Sequence, residues 1–246
     1  MSRVLVTGSR GFIGSRIVAA LNASNATTVP FVGDLRTLGF DRLPGQAPRD
    51  IDTVIHAAAL ITHRGDVSPD DYWAVNVEGT RRLLAAYGTQ KIVFVSTTDV
   101  CREDLSTYAK SKREAEALVR ERDDFCIVRL PSVFGPRQPQ TSKLIPKLLR
   151  HYMLGEPRFD VRDDVRTYCH VDEAAAAVVR AVRLRGVVDS PKIQVSNAEL
   201  VSLIRMLSEG APWSAVPPEH RTLYEQLADC AAALTTETPL MTKVAR

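Results

Sequence analysis

The chain has 246 residues, of which 45% are hydrophobic and 25% are charged, and its net charge is +3. Such a chain can bury a substantial core, as one large domain or as a domain with a smaller lobe. The charge is small and forms no basic block, so we expect neither nucleic acid nor a membrane as a partner. No apolar run reaches the roughly 18 residues of a membrane helix, and MSRVLVTGSR lacks the layout of a signal peptide, which predicts a cytoplasmic protein.

Cysteine and histidine spacing gives no sign of a metal site. The four cysteines are far apart and form no CxxC pair, and the five histidines show no ligand spacing. We therefore expect reduced structural thiols and no metal.

Short apolar segments rich in β-branched residues alternate with helical patterns along the first half of the chain. This alternation predicts parallel strands joined by helical crossovers, an α/β doubly wound sheet of the Rossmann type. Residues 33–52 are rich in glycine and proline, which indicates that an element expected there is shortened or deleted. The predicted strands are Arg3–Val6, Thr28–Val32, Thr53–His56, Ile92–Ser96 and Cys126–Leu130, and the predicted helices are Phe12–Ala23, Asp70–Tyr87 and Tyr108–Glu121.

Three glycines follow the first strand directly: Gly8, Gly11 and Gly14, of which the last two open a helix. A helix N-terminus offers unpaired N–H groups and a positive dipole end, and glycine lets a ligand approach the backbone closely. The strand before and the helix after this turn favour a site for a dinucleotide diphosphate.

A tyrosine and a lysine lie four residues apart in the third of these helices. Residues at this spacing share one helix face, so the Lys112 ammonium should favour the phenolate of Tyr108 and lower its pKa. A tyrosine perturbed in this way can act as an acid or base near neutral pH. The preceding strand ends in three hydroxyl side chains, Ser96, Thr97 and Thr98.

Beyond Leu130 the composition changes to many prolines and basic residues, followed by an Ala/Val-rich helix over Asp172–Leu184. Further on, Ser196 can cap a helix that has Glu199 three residues later. We predict a dinucleotide-binding domain of residues 1–130 with 167–195, and a small C-terminal substrate lobe of residues 131–166 with 196–246.

The G-x-x-G-x-x-G turn resembles that of the extended short-chain dehydrogenase/reductase superfamily, also called the NAD-dependent epimerase/dehydratase family. The resemblance covers most of residues 1–175, because further motifs follow in the family's order. These motifs are VIHAAA (54–59), NVEGTRRLL (76–84), VFVSTTDV (93–100), YAKSK (108–112), VRLPSVFGP (128–136) and RTYCHVDE (166–173).

The resemblance implies a catalytic set of Thr97, Tyr108 and Lys112, with Ser96 and Thr98 as alternatives to Thr97. It implies that Tyr108 exchanges a proton with the substrate while hydride passes to or from nicotinamide, and that the hydroxyl stabilises the reacting oxygen. Thr98 and Arg166 would contact the substrate. The cofactor-binding residues implied are Gly8, Arg10, Gly11, Phe12, Ile13, Gly14, Asp34, Leu35, Arg36, Ala57, Ala58, Asn76, Tyr108, Lys112, Pro131, Ser132 and Val133.

The sequence leaves the choice between NAD and NADP open. Asp34 and Leu35 resemble the pair that the family places beside the adenine ring. Arg10 and Arg36 could bind a 2′-phosphate, which favours NADP slightly, although both are equally consistent with solvated arginines.

The resemblance implies an NAD(P)-dependent oxidoreductase or epimerase that acts on a nucleotide sugar or a related hydroxy/keto compound. A 4,6-dehydratase is disfavoured, because Thr98 and Asp99 stand where the family's dehydratases have an Asp-Glu pair. The alternative is a catalytically silent dinucleotide-binding protein. A homodimer is expected from the resemblance alone.

Overall fold

The computed structural model describes residues 2–24, 26–31, 35, 50–61, 67–139 and 141–237. The chain forms two compact units, of which the first comprises Met1–Pro131 and Val171–Pro191 and the second Ser132–His170 and Lys192–Arg246. The strands are β1 (Arg3–Thr7), β2 (Thr27–Pro30), β3 (Thr53–His56), β4 (Lys91–Thr97), β5 (Phe125–Leu130), β6 (Ser132–Phe134), β7 (Val165–His170), β8 (Gly186–Asp189) and β9 (Ile193–Ser196).

Helices follow most of these strands. They are α1 (Phe12–Ala23), α2 (Pro69–Tyr72), α3 (Gly79–Ala86), α4 (Thr107–Arg120), α5 (Leu144–Leu154), α6 (Val171–Ala181), α7 (Asn197–Ser208) and α8 (Arg221–Glu237). A π-helix, Trp73–Glu78, joins α2 to α3, and short 3-10 turns span Thr98–Cys101, Trp213–Ala215 and Pro218–His220. None of the helices in the described ranges combines the length and the apolar character that crossing a bilayer requires.

The first unit contains a parallel sheet that the apolar segments predict. Among the described residues it has six strands in the order β2-β1-β3-β4-β5-β8, all paired in parallel. The central strands are buried on both faces, which explains why β3 and β4 are almost continuously apolar. The prediction of a doubly wound α/β fold is confirmed. The strand order reverses between β1 and β3, where such sheets bind ligands at their carboxyl ends.

The helix predicted over Asp70–Tyr87 is interrupted. Its first turn is α2, where Ser68 and Asp71 form a capping box, and the π-helix follows before α3 begins at Gly79. The wider π turn accompanies the burial of the Asn76 side chain, and π turns of this kind are frequent at functional sites.

The second unit is built on a small mixed sheet in the order β6-β7-β9, in which β6 and β7 are parallel and β7 and β9 antiparallel. The second unit includes residues 167–170 and 192–195, which the sequence analysis grouped with the dinucleotide-binding domain. Ser196 caps α7 in a capping box with Glu199, as predicted. Helices α5, α7 and α8 bury an apolar core that includes Leu148, Leu200 and Leu227.

Candidate active site

The turn between β1 and α1 requires its glycines. Gly8 has a φ of +67°, and a Cβ there would lie 2.8 Å from the Ala58 nitrogen and 2.9 Å from the Ala57 carbonyl carbon. A Cβ on Gly14 would lie 2.0 Å from the Gly8 carbonyl oxygen, which also accepts a 2.9 Å hydrogen bond from the Gly11 N–H. Side chains cannot be accommodated at these two positions without moving the backbone.

The start of α1 fits an anion. Its N-cap is Gly11, so no side chain caps the first N–H groups, and the first turn carries no acidic residue. Arg10 is exposed beside this turn, while Phe12 and Ile13 are half-buried. Uncapped N–H groups, the positive end of the helix dipole and a nearby guanidinium together suit the diphosphate of a dinucleotide.

A chain of hydrogen bonds lies between the glycine turn and α3. The Thr80 hydroxyl donates to the Asn76 carbonyl oxygen at 2.7 Å, so it accepts from Nε2–H of His56 at 3.0 Å. Nδ1 of His56 then accepts from the Thr7 hydroxyl at 2.7 Å, while the Thr7 oxygen accepts from the Ala58 N–H. Burial and the charge of Lys112 lower the pKa of His56 to about 3, so this imidazole is neutral.

Asn76 connects the loop after β3 to α4. Its Oδ1 accepts from the Leu60 N–H at 2.8 Å, and its Nδ2 donates to the Leu60 carbonyl at 3.1 Å and to the Ser111 hydroxyl at 3.0 Å. Ser111 in turn donates to the carbonyl of Tyr108. These hydrogen bonds link the loop after β3 to the helix that carries Tyr108.

Lys112 is 1% exposed and lies on the inner face of α4. Its ammonium is 3.8 Å from the centroid of the Phe94 ring, a cation–π contact with β4. Burial lowers the pKa of Lys112 to about 7, against the opposing effect of the Glu116 carboxylate one turn further along the helix. An amine with this pKa changes charge near neutral pH.

Tyr108 lies at the start of α4, with its ring edge-on to Tyr72 at a centroid distance of 6.4 Å. We expected Lys112 to lower its pKa, and the structure contradicts this. Burial raises the pKa of Tyr108 well above its usual value, and Asp99 and Tyr72 raise it further. Loss of solvation penalises the phenolate, and the acidic neighbours add to that penalty. The phenol is therefore protonated at neutral pH and has a proton that it can donate.

Thr97 ends β4 and is buried. Its Oγ1 accepts a 3.2 Å hydrogen bond from the Asp99 N–H, which starts the 3-10 turn over Thr98–Cys101. In this bond the Thr97 oxygen is the acceptor, so the Thr97 hydroxyl can still donate a hydrogen bond to another group. The Ser96 hydroxyl donates to Glu116 at 2.6 Å, so it is the weaker alternative, and Thr98 is half-buried.

The remaining predicted cofactor residues are only partly described. Leu35 is buried, and its carbonyl accepts a 3.0 Å hydrogen bond from Arg82 on α3. Asp34 and Arg36 lie outside the described residues. Pro131 is buried at the end of the first unit, whereas Ser132 and Val133 belong to β6 of the second unit.

Arg166, predicted to contact the substrate, is exposed and pairs with Asp164 at 3.1 Å. The second unit also contains a cavity of about 530 Å³ whose lining includes Arg158, Arg162 and Arg205 but not Arg166. Oδ1 of Asn197, another lining residue, is buried without a hydrogen-bond partner among the described residues. The lining also includes Asp160, Asp163 and apolar residues such as Phe159. This cavity was not predicted, because its residues come from three separate segments.

The sequence also did not identify the polar residues that support the predicted set. Thr7 and Thr80 orient His56, and the buried Glu116 forms an ion pair of 2.7 Å with the partly exposed Arg129. A signal for Glu116 was present, since it follows Lys112 by four residues on the same helix face.

A doubly wound parallel sheet, a glycine turn and an uncapped first helix define a Rossmann-type α/β protein. The chain belongs to the NAD dependent epimerase/dehydratase family, whose family model matches residues 4–195. This family is the one that the sequence motifs indicated.

Relatives of this chain include a sugar epimerase and a sugar dehydratase. N-acetyl-alpha-D-glucosaminyl-diphospho-ditrans,octacis-undecaprenol 4-epimerase of Escherichia coli O157:H7 is 32% identical over an alignment of 169 positions including gaps, and the match covers 54% of this chain and 50% of that protein. dTDP-glucose 4,6-dehydratase of Streptomyces griseus is 30% identical over an alignment of 269 positions including gaps, and the match covers 87% of this chain and 81% of that protein. The chain thus spans half of the first relative and four-fifths of the second.

A similar solved structure is that of RMD from Pseudomonas aeruginosa complexed with NADPH. It superposes with a TM-score of 0.78 at 21% identity, and the match covers 94% of this chain and 99% of that chain. At this identity the similarity shows the shared fold.

Proposed function

We propose that this chain is an NAD(P)-dependent oxidoreductase or epimerase that acts on a nucleotide sugar or a related hydroxy/keto compound through Thr97, Tyr108 and Lys112. The observation that carries the proposal is Lys112, a fully buried amine with a pKa near 7, one turn from Tyr108 on the same helix. A buried amine costs stability, and such residues are characteristic of functional sites.

The glycine turn supports a dinucleotide cofactor. Gly8, Gly11 and Gly14 would hold its diphosphate on the first turn of α1, with Arg10 beside it. A bound nicotinamide dinucleotide would supply the hydride acceptor or donor. The NADPH named with the Pseudomonas structure agrees with this class of cofactor.

Tyr108, Thr97 and Lys112 have different roles in the proposed proton transfer. Protonated Tyr108 donates its phenolic proton to the oxygen of a carbonyl substrate, while the Thr97 hydroxyl hydrogen bonds to the same oxygen as charge develops on it. In the opposite direction the phenolate must accept a proton from a hydroxyl, and a protonated Lys112 lowers the cost of that anion. Both directions occur in an epimerase that oxidises and then reduces its substrate.

The substrate class comes from the relatives. One relative is named as a 4-epimerase of a diphospho-linked sugar and the other as a dehydratase of dTDP-glucose. A sugar carried on a diphosphate is therefore the first class to examine.

The test combines binding and turnover. NADH and NADPH are titrated while nicotinamide fluorescence is followed, and nucleotide sugars and keto-sugars are then screened for absorbance change and for epimer formation. Tyr108→Phe should reduce kcat by about 10²–10⁴-fold with little change in cofactor affinity.

Tyr87→Phe is the matched control, because it removes a buried hydroxyl that has no hydrogen-bond partner in the described part of the chain. It should retain activity. Cofactor binding without turnover across the panel would favour the silent dinucleotide-binding protein. Wild-type turnover in Tyr108→Phe would instead refute the role of Tyr108 as the proton donor.

A further inference from the structure

Glu116 is a buried carboxylate on the helix that carries Tyr108 and Lys112. It lies one turn beyond Lys112 and is 2% exposed. Its two oxygens accept a 2.6 Å hydrogen bond from Ser96 and bonds of 2.7 and 3.0 Å from the Arg129 guanidinium. Arg120 adds a weaker, more exposed contact at 3.4 Å. Such a complete set of donors offsets the cost of burying the charge.

These contacts act on both sides of Thr97. Ser96, which bonds to Glu116, is the residue before Thr97 on β4. Arg129 extends from β5 and its Nη1 donates to Sγ of Cys101 at 3.1 Å, and Cys101 ends the 3-10 turn that follows Thr97. The Glu116–Arg129 pair therefore holds the strand before Thr97 and the turn after it.

We propose that Glu116 and Arg129 are positioning residues, which hold the Thr97 end of β4 against the Tyr108 helix, and that the Glu116 carboxylate, one helical turn from Lys112, supplies the negative charge that acts on the buried amine. This inference rests on the proposed function for its catalytic meaning. Its physical content, the coupling of Glu116 to Lys112, holds independently of any substrate.

The surroundings of Lys112 make Glu116 the main source of negative charge acting on it. Burial lowers the pKa of Lys112, and Glu116 is the group that raises it. His56 faces Lys112 from β3 but is neutral, and the Phe94 ring faces it from β4. The other ionisable groups near this helix face affect the pKa of a residue next to Lys112. Asp99 and Tyr72 raise the pKa of Tyr108, and Arg129 and Arg120 lower the pKa of Glu116.

Glu116 stays ionised at neutral pH. Burial favours its neutral form, but the hydrogen bonds from Arg129 and Ser96 and the charges of Arg129 and Arg120 lower its pKa below the usual value. The ion pair between Arg129 and Glu116 thus has two effects. It holds the end of β4 in place, and it keeps Glu116 negatively charged beside Lys112.

The first experiment measures the Lys112 amine directly and needs no substrate. Protein labelled with ¹³C at the lysine Cε is titrated by NMR from pH 5 to 11, and the Lys112 signal is assigned by its loss in Lys112→Met. In Glu116→Gln the Lys112 titration should shift roughly one pH unit lower, the scale expected for losing one opposite charge at close range.

The control is Glu114→Gln, which removes an exposed carboxylate from the same helix and should leave the titration of Lys112 unchanged. An unchanged Lys112 midpoint in folded Glu116→Gln would overturn the electrostatic part of the proposal. Because this readout uses no activity, its failure is distinct from a failure of the proposed enzyme function.

The second experiment tests positioning with a milder variant. Ser96→Ala removes one donor to Glu116 and keeps every charge, so it should lower kcat about tenfold, leave cofactor affinity unchanged and keep the Lys112 midpoint of wild type. Full kcat in Ser96→Ala would overturn the positioning part. If Glu116→Gln does not fold, Glu116→Asp is used in its place. This variant retains the charge but shortens the side chain, so it should lower kcat with little change in the Lys112 midpoint. Full kcat in Glu116→Asp would count against positioning.

Discussion

Replacing Lys112 with methionine should stabilise the fold while it abolishes activity. Methionine has a similar length and apolar character, so it can occupy the position over the Phe94 ring without a charge. The burial that lowers the pKa of Lys112 from 10.5 to about 7 penalises the charged amine in the folded chain.

The size of the effect follows from the pKa values. Each pKa unit corresponds to about 1.36 kcal/mol, so the shift of Lys112 amounts to about 5 kcal/mol of destabilisation below pH 7. Between pH 7 and 10.5 the unfolded chain still binds the lysine proton and the folded chain does not, so wild-type stability rises with pH across this window. Above pH 10.5 the penalty is absent.

Urea unfolding of wild type and Lys112→Met at several pH values between 6 and 10.5 measures this difference. Loss of the cation–π contact subtracts about 0.5–2 kcal/mol, so a net gain of about 3 kcal/mol is expected near pH 6.5, declining towards zero or below at pH 10.5. A variant whose stability advantage does not depend on pH would refute the reasoning, as would a variant less stable than wild type at pH 6.5.

Three further predictions concern other parts of the chain. Gly14→Ala should cost at least about 1–3 kcal/mol of unfolding free energy and abolish dinucleotide binding, whereas Gly88→Ala, where a Cβ meets nothing within 4 Å, should be neutral in both assays. His56 should keep Nε2–H and stay neutral from pH 8 down to about 4 in long-range ¹⁵N NMR spectra, and protonation above pH 5 would contradict the hydrogen-bond chain. Ser196→Ala should cost about 1 kcal/mol in urea unfolding by removing the capping box of α7, and an unchanged midpoint would count against it.

The main sheet was largely predictable, because strands buried on both faces must be apolar over their whole length. Thr53–His56 was predicted with the observed bounds, and Ile92–Ser96 falls one residue short at each end. The glycine turn could also be predicted from the sequence. Only glycine fits at Gly8 and Gly14, where a Cβ would meet backbone atoms, so the spacing of these residues marks the turn directly.

The π-helix around Asn76 was not predictable from periodicity. The residues of Asp70–Tyr87 follow a helical pattern, and the interruption accompanies hydrogen bonds from Asn76 to Leu60 and Ser111, which are 16 and 35 residues away. A local pattern contains no information about such distant partners.

The sequence by itself determined the α/β class, the glycine turn and the shared face of Tyr108 and Lys112, because each depends on residues within a few positions of one another. Only the tertiary structure decided the protonation of these groups. Burial raises the pKa of Tyr108 and lowers that of Lys112. The Glu116 carboxylate opposes the change at Lys112, because Glu116 is kept ionised by Arg129, which lies thirteen residues after Glu116 in the chain. Solvation and the charges of distant residues set a pKa, and both exist only once the chain has folded.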